Sequence, residues 1–106
     1  MSRLLNDVLS SRLPKLRSQE DSADPIVYAR FFFPASGWAW FVTEGEAQVN
    51  ELLFFGYVIG FEREWGYFTL RELEEVEVCG MKIERDLDFE PAPFSKSVTE
   101  PNFQQQ

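Results

Sequence analysis

Phe54-Phe55-Gly56-Tyr57-Val58-Ile59-Gly60-Phe61 is the longest unbroken apolar run in the chain. It is rich in aromatic and β-branched residues and far too short to span a membrane. That combination predicts a strand buried on both faces. Glu62-Arg63-Glu64-Trp65-Gly66 turns the chain and Gly66-Tyr67-Phe68-Thr69 brings it back, so Phe54–Thr69 is expected as the central hairpin. Gly56 and Gly60 inside the run point to a bulge or to a neighbour pressed against the backbone.

Flanking segments supply partners for this hairpin. Ile26–Phe33 and Trp38–Thr43, joined by Pro34-Ala35-Ser36-Gly37, read as a second hairpin. With Phe33 opposite Trp38, Phe31 faces Trp40 and Ala29 faces Val42. One face is then Val27, Ala29, Phe31, Phe33, Trp38, Trp40 and Val42, the core candidate. The other is Tyr28, Arg30, Phe32, Ala39, Phe41 and Thr43. Glu44–Glu51 reads as an acidic loop. Lys82–Phe89 alternates, with Ile83, Arg85, Leu87 and Phe89 on one side and Glu84, Asp86 and Asp88 on the other, as in a half-buried strand.

Two helices complete the pattern. Leu4, Leu5, Val8, Leu9 and Leu13 recur at helical spacing over residues 2–13, and Pro14 ends that helix. Thr69-Leu70-Arg71-Glu72 has capping-box spacing, and Leu70, Leu73 and Val76 give the short helix after it one apolar side. Leu16–Pro25 is a polar connector. From Glu90 onward, Pro91, Pro93, Pro101 and a glutamine run predict an irregular tail. The fold class is α+β: an antiparallel sheet of about five strands, with the N-terminal helix and the short second helix on one face. Residues 1–93 form the single domain and residues 94–106 the tail.

Composition narrows the chemistry. The 106 residues hold no histidine and one cysteine. A Ser-His-Asp or Cys-His arrangement is therefore impossible within one chain, and a zinc site is not expected. No metal or cofactor is expected. Cys79 follows an acidic stretch, which raises a thiol pKa and speaks against a nucleophile. The single cysteine, the absence of an apolar leader and the absence of a membrane span fit a cytoplasmic protein. The net charge is −8, and residues 62–90 alone carry ten acids against four bases. Direct nucleic-acid binding is disfavoured, and a basic protein partner is favoured.

Several motifs together resemble the DUF2958 family of small bacterial proteins. They include Leu13-Pro14-Lys15-Leu16, Asp24-Pro25-Ile26-Val27-Tyr28-Ala29-Arg30-Phe31-Phe32, Trp38-Ala39-Trp40 and Thr43-Glu44-Gly45-Glu46. Phe54–Gly60, Glu64–Glu74 and Ile83-Glu84-Arg85-Asp86-Leu87 continue the likeness, which covers roughly residues 4–93. The resemblance implies a single-domain bacterial protein of a kind often encoded on plasmids, phages and integrative elements. It implies no catalytic residue and no cofactor.

Two functional readings remain. In the first, Glu62, Glu64, Glu74, Glu75, Glu77, Asp86 and Asp88 form an acidic surface that binds a basic host protein, with charge that imitates DNA. In the second, a polar cluster of Tyr28, Arg30, Glu44, Glu46 and Arg85 supports a carboxylate-based or metal-dependent hydrolase. Arg85, a charge among apolar neighbours, is expected to pair with Glu44 or Glu64. Trp38, Trp40 and Trp65 are core or pocket rings, with Trp65 the most exposed. The chain is a monomer, or a homodimer through Tyr28, Phe32 and Phe41.

Overall fold

The structure is a computed structural model that describes residues 4–98. Its centre is a five-stranded antiparallel sheet in the order Arg63–Thr69, Glu51–Ile59, Ala39–Gln48, Ala29–Phe32 and Glu84–Arg85. The elements are α1 (Asp7–Arg12), β1 (Ile26–Val27), β2 (Ala29–Phe32), β3 (Ala39–Gln48), β4 (Glu51–Ile59) and β5 (Arg63–Thr69). They continue with α2 (Leu70–Glu75), β6 (Glu77–Val78), β7 (Met81–Lys82), β8 (Glu84–Arg85), β9 (Ala92–Pro93) and α3 (Phe94–Ser97).

The β2–β3 register is the one the alternation predicts, with Ala29 opposite Val42 and Phe31 opposite Trp40. Those residues face the main core, where Phe31 and Phe54 are wholly buried with rings 5.9 Å apart. Leu9 of α1 and Leu73 of α2 cover this first face. The second face is also packed: Val27, Ala39, Phe41, Tyr57 and Val98 form a smaller core. The run over 54–61 therefore does bury residues on both sides, Phe54 on the first and Tyr57 on the second. Phe61 is the exception at 94% exposure, because it sits in the turn beyond β4.

Several expected elements are redrawn. The middle strand is β3, and the β4–β5 hairpin lies to one side with β5 at the sheet edge. Glu44–Glu51 is not a loop. Glu44–Gln48 continues β3, Glu51 opens β4, and Asn50 turns the chain in a left-handed conformation (φ 65°), which Asn tolerates better than most residues. The alternation slips at Tyr28, so Val27 joins the second core and not the first. A β-bulge at Thr43 lies across from that slip.

At the N-terminus, Asn6 accepts from Leu9 N–H at 2.9 Å and caps a helix shorter than expected. Val8 faces solvent, and residues 2 and 3 of the expected helix lie outside the described residues. The capping box at Thr69 and Glu72 forms as the spacing predicts, with bonds of 3.0 and 2.8 Å. The strand expected over Lys82–Phe89 is broken. Cys79 (φ 53°) and Gly80 (φ 80°) close a small β6–β7 hairpin, as a turn with two left-handed residues does. Ile83 then enters the core, β8 adds two residues to the sheet, Leu87 points to water and Phe89 packs on the second face. Order continues past Glu90: β9 pairs with β1, Phe94 N–H reaches the Pro25 carbonyl at 2.8 Å, and Val98 is buried. Residues 94–97, expected within the tail, form α3, and residues 99–106 lie outside the described residues.

Candidate functional site

The bulge at Thr43 decides where the central carboxylates go. Val42 pairs with Gly56 and Glu44 pairs with Phe55, so Thr43 is an extra residue and the side chains after it change faces. Glu44 and Glu46 thereby turn to the second face. The Phe55 carbonyl accepts from the Thr43 hydroxyl at 3.2 Å. A Cβ at Gly56 would run into the Phe41 carbonyl oxygen, so glycine is what lets β3 come this close.

Glu44 is buried, at 3% exposure, and its two oxygens accept from the N–H groups of Arg17 (2.6 Å) and Gln19 (2.7 Å). Glu46 accepts from Leu16 N–H at 3.3 Å. The Gln19 amide donates to the Ile26 and Thr43 carbonyls and accepts from Ile26 N–H, at 2.8–2.9 Å. Together these bonds fasten the polar connector onto β3. Arg17 supports the same turn by adopting φ 75°, which exposes successive N–H groups to the carboxylate. Glu44 is thus occupied in holding backbone.

The other members of the polar cluster lie elsewhere. Arg30 meets Asp86 at 3.2 Å and lies over the Phe32 and Phe41 rings, 5.0 and 5.8 Å from their centroids. Asp86 N–H returns to the Arg30 carbonyl at 2.9 Å. Arg85 stands opposite Phe31, on the first face and in the strand beyond β2, beside a cleft with Leu4 and Leu87. Tyr28 packs against the first core. Glu44 and Arg85 are therefore on opposite faces with β2 between their strands, and the residues of the hydrolase reading do not meet.

The seven acids of the surface reading are spread over several elements. Glu62 and Glu64 are exposed at the β4–β5 turn and on β5, while Glu74 and Glu75 are exposed on α2. Glu77 lies on β6, 3.8 Å from the Lys82 ammonium. Asp86 and Asp88 sit by β8, which forms the opposite edge of the sheet from β5.

Glu62 and Glu64 border a groove. Trp38 forms the wall shared by two open clefts on the first face. One, of about 360 Å³, is lined by Trp38, Val58, Phe61, Glu62, Glu64 and Tyr67. The other, of about 320 Å³, is lined by Phe33, Ser36, Trp38, Trp40 and Val76. Gly60 admits the Trp38 ring, since a Cβ there would lie 2.5 Å from it. Phe61 meets Trp38 edge-on at 5.2 Å. Phe61 is 94% exposed, whereas the Tyr67 ring turns to the second face, 4.9 Å from Phe55. Aromatic faces beside carboxylates suit a guanidinium or ammonium group, through ring quadrupoles and ion pairing together.

A third cleft, of about 360 Å³, opens on the second face between the fastened connector and the rings of Phe55, Trp65 and Phe94. Trp65 is in β5, not in the turn, and packs 4.8 Å from Phe94 and 5.9 Å from Phe55. Sequence reading named the three tryptophans and Glu62 and Glu64, but not Phe61, Tyr67 or Gln19. For Phe61 a signal existed, a large ring set directly before the turn acids. For Gln19 there was none, because its partners lie in two other stretches of chain, at Ile26 and at Thr43-Glu44.

These features define a small acidic α+β domain with aromatic clefts on both faces of one antiparallel sheet. The family model described as protein of unknown function (DUF2958) matches residues 4–100. The chain belongs to that family. The comparisons with curated proteins and with solved structures returned no match. No described helix is long and apolar enough to cross a membrane.

Proposed function

We propose that this protein is a non-catalytic interaction module that engages a basic protein through the Trp38 groove and its acidic rim. The observation that carries the reading is the first cleft, in which Glu62 and Glu64 share a wall with the Trp38 and Phe61 rings. An exposed Phe at 94% gains little in the free protein, and buried aromatic anchors supply much of the energy of interfaces. The spread of the acids over β5, α2, β6 and the segment after β8 favours a localised groove over a continuous strip that imitates DNA. In the mobile-element setting that the family resemblance implies, and the cytoplasmic setting expected from the sequence, the partner is a basic host protein of defence or DNA processing.

The test is capture of basic proteins from bacterial lysate at low and high salt, with Glu62→Gln/Glu64→Gln and Phe61→Ala as comparisons. All three positions are exposed, so folding is spared. A partner held at low salt, released at high salt and lost in both variants supports the reading. No salt-sensitive partner, or one indifferent to both variants, refutes it.

A further inference from the structure

Strand β5 ends the sheet with no strand beyond it among the described residues. Natural sheets blunt such edges with charge, proline or shortness. The opposite edge, β8, is two residues long. β5 has seven residues, and its middle, Trp65-Gly66-Tyr67, carries no charge.

The ladder shows which backbone groups are open. Thr69 N–H turns away from β4 to Glu72 Oε1 at 2.8 Å. The Phe55 carbonyl faces β3, where it meets the Thr43 hydroxyl, so Tyr67, its partner across the β4–β5 pair, has its own groups directed outward. In an antiparallel pair such residues alternate, and Trp65 shares the parity of Tyr67 and Thr69. The N–H and C=O groups of Trp65 and Tyr67 therefore point off the edge.

Each face beside this edge has a cleft. Glu62, Glu64 and Gly66 line the Trp38 cleft on the first face. Trp65 and Phe55 line the cleft on the second. A strand laid along β5 would send successive side chains alternately to the two faces.

We infer that β5 accepts an extended segment of the basic partner as a sixth strand. A basic side chain of that segment enters the Trp38 cleft against Glu62 and Glu64, and its neighbour in sequence covers Trp65 and Phe55 on the other face. Backbone pairing supplies affinity and the two clefts supply selection, as in other strand-addition interfaces. A second copy of this chain is a poor occupant, since it brings a further −8 of charge. This inference rests on the acidic-groove reading and specifies how the groove is used.

The test uses the intact chain and a short peptide of alternating arginine and valine. Controls are the same peptide N-methylated on alternate residues, and the Glu62→Gln/Glu64→Gln protein. Affinity is read by fluorescence anisotropy at low salt, and the binding site by amide hydrogen exchange. The expected result is binding that protects the Trp65 and Tyr67 amides and weakens by about tenfold or more when the ladder bonds are blocked. Equal affinity for the N-methylated peptide, with the edge amides still exchanging freely, overturns strand addition and leaves the groove reading standing, provided the double variant loses binding. Failure of both peptides to bind, or indifference to the double variant, overturns both. Protection of the same amides by self-association alone overturns the assignment of the edge to a partner.

Discussion

Glu44→Ala tests whether the buried carboxylate serves the fold. Two short bonds, from Arg17 N–H and Gln19 N–H, are lost. Bonds to a charged acceptor contribute about 1.5–3 kcal/mol each, and an abandoned buried donor costs about 1–3 kcal/mol. Two corrections lower the total. Arg17 is exposed, so water reaches part of the freed turn, and removal of a buried charge returns its desolvation cost. The net loss is about 2–3 kcal/mol, which lowers the melting temperature by roughly 10–20 °C in a domain of this size. Glu44→Gln keeps one acceptor but sets its NH₂ against a backbone donor, so it falls between the two. The assay is thermal and urea unfolding, with hydrogen exchange at Arg17 and Gln19. Gln19→Ala should be non-additive with Glu44→Ala, because the two share one connector. A loss below about 0.5 kcal/mol, with both amides still protected, would refute the structural role and return Glu44 to the list of free carboxylates.

Three further outcomes follow from the packing. Gly56→Ala should cost more than about 3 kcal/mol, since its methyl meets a backbone carbonyl in the middle of the sheet, whereas Gly66→Ala, with open space around it, should stay within about 1 kcal/mol of the parent; paired denaturant curves separate them. Thr69→Ala removes the cap of α2 and should cost about 1 kcal/mol, read as a lower urea midpoint. Hydrogen bonds from the Ser95 hydroxyl and then the Ser95 N–H hold the Asp24 carboxyl below its ordinary value. A carboxylate lowered by folding adds stability above its unfolded pKa, and that stability is lost as pH falls through the folded value. Docking of α3 should therefore loosen in acid, and Asp24→Asn should remove the dependence; the Ser95 amide shift followed by pH titration reports both.

The β2–β3 pairing was legible because the turn Pro34–Gly37 is unambiguous and the apolar alternation on either side fits one register. The capping box was legible because it is local. What escaped was whatever depends on distant chain. Glu44–Gln48 carries two acids and a glycine, a composition that reads as loop, yet it forms strand because Phe54 and Leu53 lie across from it. The β6–β7 turn escaped because a cysteine occupies a left-handed position that Asn, Asp or Gly more often fills. The α3 turn escaped because Phe94 and Val98 show no periodicity of their own. They are held by Tyr57, Trp65 and the second core, which sequence order does not bring near them.

The candidate site was half legible for a single geometric reason. A strand without a bulge would have placed Glu44 and Glu46 on the first face, the face of Arg85. One extra residue, Thr43, reverses the sides of everything after it in β3. The carboxylates then meet backbone donors from the connector instead of an arginine, and the catalytic constellation is replaced by a structural clasp. Alternation argued along a strand holds only up to the first bulge. Glu62 and Glu64 escape this uncertainty because Glu62 lies in the β4–β5 turn and Glu64 just beyond it, in a pairing whose register runs unbroken from Ile59–Arg63 to Leu53–Thr69. The acidic residues whose positions survive the reversal are thus the ones beside the open edge, which is why the binding reading outlasts the hydrolytic one.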